Sequence, residues 1–332
     1  MNHNSTTLTT FQEKLIHYRK EIFDPALEKY LQDQGTLTLY DPIRYLMNIG
    51  GKRLRPLLAL AGAEAFGVSP KTASDAALAV EVFHNFTLMH DDIMDHAPLR
   101  RGQQTVHEKW DANAAILSGD TMLVQSYELL ANYSAEKLLP LMKVFNQTAI
   151  EVCEGQQMDM NFETREDVAL EEYLEMIKLK TSVLLGGSLR MGAIVAGAEE
   201  AQQKHLQQFG INAGLAFQLQ DDYLDAFGDP EKFGKQVGGD ILADKKTFLW
   251  IHTFQNSDDN QKAQMLASDL RGEEKVAYFK GRFRDAGADS AIREKMEFYY
   301  QEAMDHLNAC EIQEEQRRFF EEFARSLIER AH

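Results

Sequence analysis

Over residues 73–95 the side chains Val80, Phe83, His84, Thr87, Asp91 and Asp95 recur at spacings of three and four. That interval stacks them on one face of an α-helix, and Pro98, which has no amide hydrogen to donate, predicts where the helix must have stopped. A second pattern of the same period runs over residues 205–226, where Gly214, Gln218, Asp221 or Asp222, and Asp225 share a face, with Pro230 just beyond. Turn-forming residues cluster at 67–70, 97–102, 197–199 and 228–239 and divide the chain into successive helical stretches. Runs of β-branched residues bounded by turns are scarce, so the pattern predicts an all-α protein. No repeat, low-complexity tract or linker interrupts it, which predicts one domain over residues 1–332, closed by an amphipathic helix within 311–332.

Charge narrows the function. The 332 residues carry 52 acidic against 35 basic side chains, a net charge of −17 that repels nucleic acid and anionic membranes. A polyanionic ligand would therefore need a local basic pocket or bound cations. Cys153 and Cys310 are too few for a disulfide framework, and their apolar, helix-like settings predict buried thiols. Residues 1–20 lack the apolar core of a signal peptide, and no uninterrupted apolar run reaches membrane-spanning length, so a soluble cytoplasmic protein is expected.

The chemistry concentrates at two helix ends: Asp91, Asp92 and Asp95 in DDIMD, and Asp221, Asp222 and Asp225 in DDYLD. Positions one and five of such a motif lie on one face, a turn apart. Both clusters sit where the helix macrodipole is negative and carboxylates are disfavoured, so local stability does not explain them. Two carboxylates about 4 Å apart repel by roughly 4 kcal/mol at an effective dielectric of 20. A divalent cation relieves that repulsion, and an all-oxygen donor set points to Mg²⁺, completed by substrate phosphate.

Basic residues punctuate the acidic chain. Lys52, Arg53 and Arg55 stand in GGKRLRP behind the flexible Gly50 and Gly51; Arg100 and Arg101 follow the first aspartates. Lys180 sits in a KT pair, and Lys235 and Lys245 flank the loop after the second cluster. Arginine forks and lysine ammonium groups suit diphosphate oxygens.

In order, GGKRLRP, HDDIMDHAPLRRG, GQQMD, KT, FQLQDDYLD and GKQVGGD span roughly residues 49–247. This series resembles the trans-prenyl diphosphate synthases, the family of farnesyl and geranylgeranyl diphosphate synthases. The resemblance implies an orthogonal helical bundle around a deep central cavity, the isoprenoid synthase fold, usually as a homodimer. It implies that Asp91, Asp92, Asp95, Asp221, Asp222 and Asp225 hold magnesium against an allylic diphosphate that Arg100, Lys180, Lys235 and Lys245 also contact. Lys52, Arg55, His84 and Arg101 match the isopentenyl diphosphate site; Thr181 and Gln218 match positions lining the reacting carbons, supported by Gln156 and Asp159.

The implied reaction is ionisation of the allylic diphosphate, attack by the isopentenyl alkene and loss of a proton. Phe86, five residues before Asp91, matches the position that commonly forms the floor under the growing chain; Phe83 lies deeper and Thr87 is small. These features favour a 20-carbon over a 15-carbon product. A terpene cyclase usually carries a different second metal motif, and a noncatalytic partner subunit usually lacks one motif or both; this chain has both DDxxD motifs.

Overall fold

A computed structural model describes residues 10–229 and 237–328. Lys235 lies outside them, as does much of the loop expected over 228–239. The described chain divides into two compact units, each assembled from separated stretches: residues 10–148, 184–207 and 310–319 form the first, and 149–183, 208–229, 237–309 and 320–328 the second.

In the first unit the helices Leu54–Ala65, Ser74–Met94 and Ala112–Leu130 carry the core. Leu58, Leu60, Ala79, Val80, Phe83 and Met122 are almost fully excluded from solvent. Two glycines let the helix Val183–Ala196 approach backbone to backbone: a Cβ on Gly62 would lie 2.4 Å from the Leu189 carbonyl oxygen, and one on Gly192 would lie 2.1 Å from that of Ala59. Alanine at either position would force the helices apart. The helix expected over 73–95 is thus present, and Asp95 terminates it.

The second unit is built on Leu170–Ile177, the C-terminal part of Glu200–Phe227, Phe248–Gln255, Gly272–Asp285 and Ala288–Asn308. Tyr173, Leu215, Leu219, Phe248, Phe279, Phe283 and Ile292 interlock in its core. The helix expected over 205–226 begins five residues earlier, at Glu200, and a closing helix runs over Glu314–Ile328. Among the described residues the strand content is one ladder, Leu99↔Gln104 and Arg100↔Gln103. Its turn residues Arg101 and Gly102 both have positive φ, 52° and 75°, as a type I′ hairpin requires.

Among the described residues the helical run Leu170–Ala196 is long and apolar enough by length and composition to cross a membrane, but charged residues interrupt it and 78% of its most apolar window is buried, as in a core helix. One sequence expectation is corrected. Cys310 is buried as expected, whereas Cys153 is exposed. It shares an outward face of the helix Ala135–Thr164 with Ile150, Glu154 and Gln157, a face whose apolar members gave the sequence a buried look.

Candidate functional site

The first unit gathers cations around a strained loop. Gly50 and Gly51 take φ of 89° and 140°, and Arg53 follows at 53° before the helix Leu54–Ala65 begins. A Cβ on Gly51 would lie 2.6 Å from Arg101 Nη1, so glycine is what lets the Arg101 guanidinium lie against this backbone. Arg53, grouped with the ligand-binding cations on sequence, is instead buried and committed to Glu81 and the Met47 carbonyl. It holds the loop rather than a ligand.

Arg55 donates from Nη1 to His84 Nε2 at 3.2 Å. Because guanidinium only donates, that nitrogen accepts and carries no proton. Burial, reinforced by Arg55, Arg101, Arg100 and Arg53, holds His84 well below the usual histidine range. Burial likewise pushes Arg55 and Arg101 down against the opposing pull of Glu81; Arg101 adds a smaller lowering at Arg55, and Arg53, then Arg100, add to it at Arg101. Arg55 Nε is buried without a hydrogen-bond partner among the described residues. Lys52 lies exposed on the same loop. The group has more positive charge than its surroundings neutralise, which is the electrostatic signature of an anion site.

The first aspartate motif is unequal within itself. Asp91 is half-buried and Asp95 exposed, while Asp92 is buried and clamped by Arg100 through Nε at 2.9 and 3.0 Å and Nη2 at 2.7 Å. The hairpin after the motif delivers that guanidinium, and Tyr45 steadies the hairpin by donating its hydroxyl to the Gln104 carbonyl at 2.8 Å.

The second motif repeats the inequality with other partners. Asp222 accepts the Tyr173 hydroxyl at 2.5 Å. Burial, with the charges of Asp240 and Asp221, pushes its carboxyl up to about 8. Asp225 Oδ2 accepts the Asp240 amide at 3.0 Å and so fixes the turn that starts Gly239–Leu242; burial raises this carboxyl too. Asp221 is half-buried. Asp240 itself pairs with Lys245 at 3.2 Å. Burial alone would lower Lys245, but Asp240, with Asp159 and Asp222, raises it.

Asp240 is the site residue that sequence reading missed; the GGD ending of GKQVGGD was its only signal. Lys180 and Thr181 lie in a single π-helical turn, Lys178–Ser182, a local widening frequent at functional sites. Lys180 donates to Asp159 at 2.5 Å. Gly155 of GQQMD admits this turn, since a Cβ there would lie 2.2 Å from the Lys180 amide nitrogen. Both amide atoms of buried Gln156 lack a partner among the described residues, and Gln218 is half-buried.

Among the described residues no three His, Cys, Asp or Glu side chains converge as a finished metal site. The available donors are carboxylate oxygens with spare lone pairs. Such a set suits a hard divalent ion that keeps waters and takes phosphate oxygens as further ligands. Asp92 and Asp222, grouped with the metal ligands on spacing, are each turned onto a protein partner.

Phe86 and Phe83 lie on the buried side of Ser74–Met94, their rings 5.7 Å apart, and Phe83 continues edge-on to Phe145 at 5.2 Å. Thr87 returns its hydroxyl to the His84 carbonyl at 2.8 Å.

Residues 36–281 match the family model described as polyprenyl synthetase. A geranylgeranyl pyrophosphate synthase of Geoglobus acetivorans is 37% identical over 321 residues, 96% of this chain and 99% of that one. A geranylfarnesyl diphosphate synthase of Natronomonas pharaonis is 34% identical, covering 96% of this chain and 98% of its own. A crystal structure of a geranylgeranyl pyrophosphate synthase superposes with a TM-score of 0.87 at 47% identity, over 98% of this chain and 100% of the other.

Proposed function

The chain belongs to the polyprenyl synthetase family and is a short-chain trans-prenyltransferase with the helical isoprenoid synthase fold, and from that premise we propose that it condenses isopentenyl diphosphate with an allylic diphosphate. The observation that carries this reading is the positive charge that Arg55 and Arg101 gather around neutral His84, with a buried Arg55 Nε left over. A second diphosphate substrate needs such a site; a cyclase that ionises one allylic diphosphate does not.

In this reading Lys52, Arg55, His84 and Arg101 bind isopentenyl diphosphate. Neutral His84 accepts from Arg55 through Nε2 and so keeps its other ring nitrogen free to donate to a phosphate oxygen. Asp91, Asp95, Asp221 and Asp225 hold magnesium against the allylic diphosphate. Arg100, Lys180, Lys235 and Lys245 contribute the remaining positive charge there, and Arg100 also orients Asp92. Bound magnesium would offset the negative charge that collects on the departing diphosphate.

Thr181 and Gln218 place neutral oxygen dipoles beside the allylic cation, where they stabilise it without capturing it. The isopentenyl alkene attacks that cation, and the released diphosphate takes the proton then lost. Holding both substrates converts the encounter into an intramolecular step. Phe86 forms the floor under the growing chain, and with small Thr87 above it a 20-carbon product is favoured.

The exposed Ile116, Leu117 and Val124 on Ala112–Leu130 support a homodimer, since exposed apolar side chains along one helix favour association. The protein works in the cytoplasm on isoprenyl diphosphates and, at net charge −17, not on nucleic acid.

The test is incubation of the pure protein and Mg²⁺ with isopentenyl diphosphate plus dimethylallyl, geranyl or farnesyl diphosphate, followed by mass spectrometry. Linear prenyl diphosphates longer by one or more isoprene units, dominated by the 20-carbon species, are expected. Cyclised hydrocarbon would place the chain with the terpene cyclases. No magnesium-dependent conversion of any primer would mark it as a noncatalytic subunit.

A further inference from the structure

His90, the residue directly before the first aspartate, has no part in the scheme above, yet three contacts fix its ring. Its imidazole meets Phe86 edge-on, with centroids 4.7 Å apart. Its Nε2–H donates to the Ile116 carbonyl at 3.3 Å. The third contact is with Gly119: a Cβ there would lie 2.3 Å from Nε2 and 2.6 Å from Cδ2, so only glycine leaves room for the ring.

Phe86 in turn meets Phe83 at 5.7 Å, Phe83 meets Phe145 at 5.2 Å, and Phe145 meets Tyr127 at 5.1 Å. The result is a column of five rings whose two ends both meet the helix Ala112–Leu130: His90 rests against its Ile116 and Gly119, and Tyr127 belongs to it. A phenylalanine alone on a helix face can change rotamer. Phe86 is held between His90, one turn further along the same helix, and Phe83, so its swing is blocked from both sides.

We propose that His90 is a positioning residue for product length: braced by the Ile116 carbonyl in the space Gly119 leaves, it locks the Phe86 ring in the orientation that stops the growing prenyl chain. This rests on the reading of Phe86 as the floor. His90 touches neither substrate nor reacting atoms in this role; it acts through Phe86 alone.

The experiment compares product distributions of the full-length enzyme and its variants Phe86→Ala, His90→Ala, His90→Phe and Phe86→Ala/His90→Ala, each with its melting curve. His90→Ala is expected to raise the ratio of the product one isoprene unit longer to the normal product about threefold or more, the scale of losing one edge-to-face contact. His90→Phe keeps a ring against Phe86 and is expected to restore most of the normal distribution. In the Phe86→Ala background the second substitution is expected to change nothing further, because its target is gone.

Normal product lengths from a folded His90→Ala enzyme, while Phe86→Ala lengthens the product, would overturn the role of His90 and leave the floor in place. Unchanged lengths from Phe86→Ala would instead remove the floor itself. Should His90→Ala not fold, His90→Phe and the Tm comparison still decide: a folded His90→Phe enzyme with lengthened product overturns the proposal.

Discussion

The two aspartate-rich motifs have the same spacing and each lies at a helix C-terminus, but their middle carboxylates are held by different chemistry. Asp92 is buried in a bidentate ion pair with Arg100, a charge brought back by the hairpin only eight residues on. Asp222 meets a neutral phenol, Tyr173, and burial pushes it up to about 8. The first motif pairs its middle carboxylate with an arginine; the second gives that charge up, chiefly because the group is buried, with the charges of Asp240 and Asp221 adding to the effect. Identical motifs therefore need not contribute identical ligands. The outer aspartates are the common element and the middle ones the variable element.

The largest effects should come from the common element. Asp91→Ala and Asp221→Ala are each expected to cut magnesium-dependent turnover by about 10³-fold, the scale of losing preorganised charge stabilisation at the transition state. Steady-state kinetics with saturating isopentenyl diphosphate measures it. Near-normal turnover in either variant would remove that motif from the metal site.

Next in size is Arg100→Ala. It leaves the Asp92 carboxylate, 2% exposed, without its partner, and breaking a buried pair from one side costs about 3–5 kcal/mol. Urea denaturation measures the loss. A cost under about 1 kcal/mol would mean that Asp92 finds solvent or another donor, and the contrast between the motifs would collapse.

Much of this arrangement was legible in the sequence. The period-3.6 pattern located both helices and put both motifs at their ends, because a long amphipathic helix is specified locally. Arg100 followed the first motif closely enough to be assigned to the same site, though as a diphosphate contact and not as the partner of Asp92. What the sequence hid were partners set by tertiary packing: Tyr173 lies 49 residues before Asp222 and reads as one more apolar position of a core helix. Asp240 reads as a turn residue until its amide is seen bound to Asp225. Arg53 looked like its neighbours in GGKRLRP until its pairing with buried Glu81 removed it from the ligand-facing set. Local pattern fixes which residues are near a site, and only packing decides which way each one turns.

A smaller effect tests whether the cationic group behaves as a unit. His84 is held below its unfolded value near 6.5 by burial and then by Arg55, Arg101, Arg100 and Arg53. The unfolded chain therefore takes up the extra proton first on acidification. The His84 contribution to stability is fully present above about pH 6.5 and is lost as pH falls below it, at up to about 1.4 kcal/mol per pH unit. Stability curves between pH 5 and 8 should fall more steeply on the acid side for the parent protein than for His84→Gln, which cannot titrate. Parallel curves would mean that His84 takes up protons equally in both states and that the arginines do not act on it.

The smallest effect should come from Asp222→Asn. A carboxyl raised to about 8 is mostly protonated at pH 7, so the amide replaces a largely neutral group of the same shape, and its oxygen can still accept the Tyr173 hydroxyl. Stability should change by no more than about 1 kcal/mol, the worth of one altered hydrogen bond, and turnover should stay within about tenfold of the parent. Asp92→Asn is the control: it removes a charge that Arg100 is built to meet, so it should cost measurably more than Asp222→Asn in the same urea titration. If Asp222→Asn instead loses turnover on the scale of Asp221→Ala, Asp222 must ionise to hold metal when substrate arrives. The two middle aspartates would then differ only in the resting enzyme.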